Sequence, residues 1–509
     1  MPSISLSLVS HTNAGKTTLA RTLLGRDVGT VRDAPHVTEF ADMFTMLETP
    51  AGEQLLLWDT PGFGDSLRVV KRLRASSNPI GWLVVEVWDR WRDRPFWASQ
   101  QAMKNVRDEA DVMLYLVNAS ESPEAAGYVA PEMELLGWIA KPVIVLLNQL
   151  GAPRVSAQRG AQEDADLLRW REHLARYPHV HAVLPLDAFA RCWVQEGTLL
   201  WAIETALPAE RRALMARLRA AWSAQRLQVF DATMASLAGS LARLAGAFEE
   251  VPDQATMVAR LRRVGTAIGG MVGVGNADQA PTALAQKALA ERLDAEVRAN
   301  TAELIALHGL EGRAQGEILT RLATHFETRL RMDEGKAALW GGMVSGALVG
   351  LKADILSGGL TLGGGLLAGG LIGALGAAGL ARCVNLVRGT DRSFVAWNAD
   401  ALGQLLEAAL LRYLAVAHFG RGRGEWAQGE SPPNWRDVIQ QSLAPHREAL
   451  AVIWKERDAR GEAGGEGVGL IAAALAPLLR DVAADTLRTL YPDAPPLRER
   501  AQPAPVVAQ

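Results

Sequence analysis

Apolar residues recur along the first two hundred residues in short runs of strand length, separated by longer stretches with the period of a helix. This alternation is typical of stacked βαβ units, in which a mostly parallel sheet carries helices on both faces. A ligand of such a sheet binds beyond the carboxyl ends of the strands. The pattern therefore predicts an α/β domain over residues 1–200. Its predicted strands are Ile4–Val9, Gln54–Trp58, Val112–Val117, Pro142–Leu147 and His181–Leu186.

The pattern changes at Pro208, after which the chain is rich in Ala, Leu and Arg, and apolar residues such as Leu214 and Leu218 recur at helical spacing. Proline near the first turn marks a helix start. We expect long helices up to about residue 335 and again from about residue 391. The sequence therefore predicts an all-α domain in two parts, residues 201–337 and 382–490, followed by a disordered, proline-rich tail at residues 491–509.

A Gly-rich apolar segment, residues 338–381, lies between the two helical parts and is predicted to form a hairpin. It carries no charge from Ile355 to Ala381, a length greater than the ~20 residues that a helix needs to span a bilayer. Its glycines allow helix backbones to approach closely, but they also lower helix propensity and hydrophobicity. Three interpretations stay open: a membrane span, a hairpin that contacts lipid on activation, and a buried hairpin of a soluble protein.

The composition limits the partners and the compartment. A net charge of −3 gives no basic field that would attract a phosphate backbone, so the composition does not favour nucleic acid as a partner. Two cysteines, Cys192 and Cys383, lie far apart without the spacing of zinc ligands, which is typical of a reducing compartment. A predicted strand within ten residues of Met1 leaves no room for a signal peptide. We expect a cytoplasmic protein, at the inner face of a membrane if the Gly-rich segment binds lipid.

The strongest chemical signal follows the first strand, in the stretch Asn13-Ala14-Gly15-Lys16-Thr17-Thr18. Glycine beside the lysine lets backbone N–H groups surround phosphate oxygens, Lys16 neutralises the β- and γ-phosphates, and the Thr17 hydroxyl binds Mg²⁺ as the helix begins. An ordinary helix start is the alternative, but strand, loop and helix follow in the required order. Ser10 stands where such loops open with glycine, and it fits if its backbone does not need a positive φ.

Two later strand ends carry further polar residues. Asp59 can hold a Mg²⁺-bound water, and the Gly62 N–H can sense a γ-phosphate, although a lone Asp-x-x-Gly is a common turn. Asn148 stands where GTPases show Asn-Lys-x-Asp, but Gly151 replaces the aspartate that accepts hydrogen bonds from guanine, and a plain strand-end turn is the alternative. The phosphate and magnesium half of the predicted site is therefore complete, and the base-reading half is degraded.

These motifs resemble the G domain of Era-like P-loop GTPases, and Asn13-Ala-Gly-Lys-Thr followed by Gly25-Arg-Asp-Val is similar to the G domain of the tRNA-modification GTPases. The resemblance implies GTP and GDP as ligands, Mg²⁺ as cofactor and a K⁺ ion bound by Asn13. It assigns the switch I threonine, which closes over Mg²⁺ and the γ-phosphate, to Thr38, with Thr30 as the alternative. The candidate catalytic residues are then Lys16, Thr38 and Gly62.

The same resemblance bears on the rate of hydrolysis. Phe63 stands where other switches have a water-orienting glutamine, which implies slow hydrolysis that needs a G-domain homodimer, a cation or a partner. The whole chain also resembles an uncharacterised bacterial family in which this G domain precedes a helical domain of unknown function. That wider resemblance supplies no activity.

A Trp-rich insert at residues 78–100 follows the predicted switch II, and in it Trp82, Trp88, Trp91 and Trp97 alternate with charged residues. One interpretation is a helix that buries these rings against the sheet. The other is a surface that moves with nucleotide state and meets a partner or a membrane interface, where tryptophan is enriched.

The leading functional hypothesis is a GTP-binding molecular switch with slow, Mg²⁺-dependent hydrolysis, coupled to a helical effector domain that contacts a membrane lipid or membrane protein. Ser10 and Gly151 motivate a second hypothesis, an inactive or nucleotide-poised scaffold or a base-indifferent NTPase. A third, suggested by the resemblance alone, is a ribosome- or RNA-associated GTPase.

Overall fold

A computed structural model describes twelve stretches of the chain. They are residues 1–12, 14–25, 41–64, 66–74, 94–149, 161–188, 192–251, 280–310, 384–388, 393–419, 435–460 and 465–495. The chain divides into two compact units. The first comprises Met1–Val229, Ala417–Asn434 and Leu487–Gln509, and the second comprises Phe230–Val416 and Trp435–Thr486.

The first unit is built on a six-stranded sheet with the order β2-β3-β1-β4-β5-β6. All neighbouring strands are parallel except β2 and β3, which pair antiparallel. The strands are β1 (Ser3–Ser10), β2 (Asp42–Glu48), β3 (Gln54–Asp59), β4 (Val112–Asn118), β5 (Val143–Asn148) and β6 (Val180–Pro185).

The five predicted parallel strands are confirmed, each end within one residue of its predicted bound. Their apolar runs are fully buried in β4 and β5, as expected for strands that are covered on both faces. Strand β2 was not predicted. It lies at the edge of the sheet and is half-exposed, so its sequence lacks the continuous apolar run of the central strands.

Helices follow the strands and complete the α/β fold of the first unit. Phe63, Tyr115 and Trp170 are fully buried in one apolar cluster with residues of the central strands and of helices α2 to α5. The helices are α1 (Lys16–Leu24), α2 (Ser66–Arg74), α3 (Arg94–Asp108), α4 (Val129–Ile139), α5 (Ala161–Leu174) and α6 (Trp193–Ala206). Helix α7 (Ala209–Ala245) begins in the first unit, and its residues from Phe230 onward belong to the second.

The second unit is mainly helical, as predicted, and also contains a small antiparallel sheet of order β7-β9-β8. Its strands are β7 (Phe248–Glu250), β8 (Val384–Arg388) and β9 (Ser393–Trp397). Because β9 occupies residues 393–397, the helix expected from about residue 391 begins instead at Ala399. The remaining elements are α8 (Ala280–Leu307), α9 (Ala399–Ala417), α10 (Trp435–Leu443), a 3₁₀ turn (Ala444–His446), α11 (Arg447–Arg460) and α12 (Gly465–Leu490).

The Gly-rich segment 338–381 lies outside the described residues, so its three interpretations remain untested. Within the described part, Glu466–Leu490 of α12 is long and apolar enough to cross a membrane by length and composition. The core helix of a soluble protein satisfies the same criterion. One face of α12 is buried, at Ile471, Leu475 and Leu479, and Arg480 pairs with Asp231 of α7 at 2.8 Å. These contacts are those of a helix packed within a protein.

Candidate functional site

The loop between β1 and α1 has the backbone conformation of a phosphate-binding loop at its glycine. Gly15 precedes α1 with φ 92°, in the left-handed region that favours glycine. A Cβ at this position would also lie 2.9 Å from Nδ2 of Asn148. Both observations explain why a glycine stands beside Lys16, whose helix directs its first N–H groups toward the loop.

Ser10 replaces the usual first glycine of the loop without backbone strain. Among the described residues, only Ala140 and Gln149 combine a side chain with a positive φ, so Ser10 has ordinary backbone geometry. The Ser10 hydroxyl is buried, donates to the carbonyl of His11 at 2.6 Å and accepts from Lys16 Nζ at 2.9 Å. Serine therefore gives the lysine a hydrogen-bond acceptor that glycine lacks.

Lys16 and Asp59 are both buried at the carboxyl edge of the sheet. Burial lowers the pKa of Lys16 to about 8, against the opposing effect of Asp59 and Glu132. Burial also raises the pKa of Asp59 to about 6, against the hydrogen bond from Thr17 and the charge of Lys16. Each group is thus held in a poorly solvated position, where a bound ion of the opposite charge would favour its charged form.

Thr17 and Asp59 are in direct contact, as the two motifs predict. The Thr17 hydroxyl donates to Asp59 Oδ2 at 2.6 Å. Asp59 Oδ1 is buried and has no hydrogen-bond partner. A buried carboxylate oxygen without a partner is costly, and it is the kind of ligand that Mg²⁺ prefers. The donor set at this point, one hydroxyl and one carboxylate, therefore fits a magnesium ion.

The Asp-x-x-Gly segment packs directly against the phosphate loop. A Cβ at Gly62 would lie 2.8 Å from Thr12 Cα and 3.0 Å from Lys16 Nζ, so only glycine fits there. The next residue is tied to the loop by three hydrogen bonds. The Phe63 N–H donates to the Ser10 carbonyl at 2.9 Å, and the Thr12 N–H and hydroxyl donate to the Phe63 carbonyl at 3.2 and 2.8 Å.

The Phe63 side chain is fully buried in the apolar core. It lies among Val9, Val69 and Tyr115 of the same cluster. A buried phenyl ring has no polar atom with which to orient a water molecule.

Asn148 joins two segments that border the site. Its Nδ2 donates to the Ala14 carbonyl at 3.1 Å, and its Oδ1 accepts from the Ala188 N–H at 2.9 Å. The side chain is fully buried, so both bonds are shielded from water. Asn148 is therefore a strut between the phosphate loop and the loop after β6, rather than part of a plain turn.

Of the other predicted site residues, some lie within the described part of the chain and others lie outside it. Ala14 and Thr18 are buried in the loop and in the first turn of α1, where the motif places them. The predicted K⁺ ligand Asn13 and the switch I candidate Thr38, like its alternative Thr30, lie outside the described residues. So do Gly151 and most of the Trp-rich insert 78–100. Within the insert's described end, Trp97 on α3 is buried.

One polar cluster beside the loop was not predicted from the sequence. His11 Nδ1 lies 2.8 Å from Glu132 Oε1, and the Tyr115 hydroxyl donates to Glu132 Oε2 at 2.7 Å. Glu132 is fully buried on α4, and burial raises its pKa against the opposing effect of His11. No motif spacing identifies these residues, because they come from three separate elements.

The fold and these loops define the class of the first unit: it contains a P-loop GTPase domain. Residues 5–149 match the family model described as 50S ribosome-binding GTPase. Residues 171–466, more than half of the chain, match the domain of unknown function DUF3482, and the chain belongs to that family. The wider resemblance to an uncharacterised family is therefore confirmed.

The proteins similar to this chain include one curated protein and two solved structures. The chain is 25% identical to GTPase Era of Heliobacterium modesticaldum over 170 residues, which is 33% of this chain and 46% of the relative. Two solved structures are similar, each with 20% identity, a TM-score of 0.29 and coverage of 41% of this chain and 58% of theirs. They are Era with MgGDPNP and a segment of 16S ribosomal RNA, and Aquifex aeolicus Era bound to GDP and aluminium fluoride. The chain spans about half the length of these relatives.

Proposed function

We propose that this protein is a GTP-binding molecular switch that hydrolyses GTP slowly and transmits its nucleotide state to the helical domain. The observation that carries the proposal is the convergence of Lys16, Thr17, Asp59 and Gly62 at one edge of the sheet. Lys16 and the loop N–H groups bind phosphates, and the Gly62 N–H senses the γ-phosphate. The proximity of four residues from two separate motifs supports this chemistry.

Magnesium is part of the proposal. Thr17 and Asp59 would hold the ion, and the partnerless Asp59 Oδ1 supports this assignment. When bound, Mg²⁺ neutralises charge that develops on the phosphate oxygens. Thr38 would complete the site from switch I, and Asn13 would bind K⁺; both assignments follow from sequence resemblance.

Hydrolysis is proposed to be slow because the buried Phe63 cannot orient water. A second G domain, a cation or another partner would then supply the missing group. Sedimentation velocity with GDP and with a GTP analogue tests the homodimer: dimers that form with the analogue alone support it, and a monomer in both states opposes it.

The base-reading half of the site favours a second candidate, a base-indifferent NTPase or an inactive scaffold. Its motivation is Gly151, which leaves the loop after β5 without the carboxylate that selects guanine. Asn148 still joins the two loops that border the base, which supports a nucleotide site of some kind. Titration with GDP and ADP separates guanine selectivity from indifference.

Partners beyond nucleotide remain proposals. We propose a cytoplasmic protein whose segment 338–381 associates with the inner face of the membrane through lipid or a membrane protein. Flotation of the full chain with liposomes in each nucleotide state tests this, and a protein that stays in the soluble fraction in every state would overturn it. Ribosome association is the alternative raised by the description of the family that residues 5–149 match. Co-sedimentation with ribosomes in the GTP-analogue state alone would favour it.

The direct test of nucleotide binding is Lys16→Ala. We expect this variant to lose measurable GDP affinity, because Lys16 is the cation that the phosphate-binding motif places against the β- and γ-phosphates. The matched control is Lys455→Ala, the same substitution at an exposed lysine of α11. Unchanged GDP affinity in Lys16→Ala, together with an unchanged cellular phenotype, would favour the scaffold.

A further inference from the structure

The cluster of His11, Glu132 and Tyr115 lies beside the phosphate loop and has no role in the motifs described above. Glu132 is fully buried, and a buried carboxylate is costly unless it is paired and hydrogen-bonded. Each of its two oxygens has a partner, His11 Nδ1 at 2.8 Å and the Tyr115 hydroxyl at 2.7 Å. The carboxylate is therefore fixed by both oxygens inside the domain.

The partner of this carboxylate is a residue of the phosphate loop itself. His11 stands between Ser10, which accepts from Lys16 Nζ, and Thr12. Its ring stacks on Tyr128 with a centroid distance of 4.6 Å and an interplanar angle of 20°. The ring is thus held at its edge by Glu132 and at its face by Tyr128, which fixes the backbone on both sides of it.

The next residue carries this restraint to the γ-phosphate sensor. Thr12 donates two hydrogen bonds to the Phe63 carbonyl, and the loop at Thr12 is in close contact with Gly62. A displacement of Thr12 by a few tenths of an ångström would therefore move Gly62 or break these bonds. The chain of contacts from Glu132 to Gly62 passes through only two intervening residues.

We propose that Glu132 is a positioning residue for the γ-phosphate, acting through His11 and Thr12 on the Gly62 N–H. This inference rests on the proposed function, since it concerns the same nucleotide site. It goes beyond that function by assigning discrimination between GTP and GDP to a buried carboxylate of α4. The effect falls on the triphosphate state, because GDP has no γ-phosphate for Gly62 to contact.

The test compares the affinities of a non-hydrolysable GTP analogue and of GDP, both by calorimetry, for wild type and Glu132→Leu. We expect the variant to bind the analogue about tenfold more weakly relative to GDP, on the scale of one charge-assisted hydrogen bond. Glu132→Gln can still accept from His11 and contact Tyr115, so it should recover most of the ratio. Tyr115→Phe removes only the hydroxyl, and we expect it to shift the ratio in the same direction and less.

The matched control is Glu196→Leu, which removes another fully buried glutamate of the first unit, one that pairs with Arg226 at 3.6 Å. General destabilisation should weaken both nucleotides equally, so this control should keep the wild-type ratio. An unchanged ratio in both Glu132→Leu and Tyr115→Phe would overturn the inference while leaving the proposed function intact. Failure of the wild type to bind either nucleotide would instead overturn the proposed function.

Discussion

The substitution Asn148→Ala tests whether the strut between the two loops belongs to a nucleotide site. It removes the hydrogen bonds to the Ala14 carbonyl and from the Ala188 N–H, 3.1 and 2.9 Å long, at a fully buried position. A buried polar group that loses its partner costs about 1–3 kcal/mol. Two such groups predict a loss of about 2–6 kcal/mol in the free energy of unfolding, part of which relaxation of the loops will offset.

The predicted effect on binding is separate from the effect on stability. Because both loops border the proposed nucleotide, we expect GDP affinity to fall at least about tenfold, or ~1.4 kcal/mol. Urea unfolding measures the first quantity and calorimetric titration the second. The matched control is Asn105→Ala on α3, where a buried asparagine accepts one bond from Ser7 at 2.7 Å.

The control should cost about 1–2 kcal/mol of stability and leave GDP affinity unchanged. If Asn148→Ala and Asn105→Ala lost stability but bound GDP like the wild type, the strut would be purely structural. The same outcome would show that residues 14 and 188 do not border the bound nucleotide.

Two further predictions follow from the same site. Gly62→Ala should lower the affinity for a GTP analogue at least about tenfold, because its Cβ would meet Thr12 Cα at 2.8 Å. The control is Gly127→Ala, which has open space around the added Cβ. Equal affinities of the two variants for the analogue in calorimetric titration would refute the steric argument. Burial raises the pKa of Asp59 from 3.8 to about 6, so in metal-free buffer its contribution to stability is full below about pH 3.8 and is lost as the pH rises through about 6. Asp59→Asn lacks this loss, so its free energy of unfolding should rise relative to that of the wild type between about pH 4 and pH 7. Urea unfolding measures this difference, and a difference that stays constant with pH would contradict the raised pKa of Asp59.

Hydrophobic patterning predicted the parallel sheet well because its central strands are buried on both faces. The edge strand β2 and the short strands β7, β8 and β9 were missed. A half-exposed edge strand has mixed polarity, and strands of three to five residues are too short to show a period against helical surroundings.

The candidate site likewise contains residues that the sequence predicts and residues that it does not. Lys16, Thr17, Asp59 and Gly62 were predictable because each lies in a motif whose spacing reflects its chemistry. Glu132 was not, since an acid in the first turn of a helix is most simply a solvated one that favours the helix N-terminus. Only the three-dimensional packing shows that Glu132 is buried and in contact with His11.

Calorimetric titration of the nucleotide-free protein with GDP and with ADP, in buffer containing Mg²⁺ and K⁺, tests whether the phosphate loop binds nucleotide and which base the site accepts. We expect micromolar binding of GDP by the wild type and the loss of this binding in Lys16→Ala. Equal binding of GDP and ADP would make the protein a base-indifferent NTPase. Binding of neither nucleotide would contradict the proposed GTP-binding function and leave the phosphate loop as a structural feature of a scaffold.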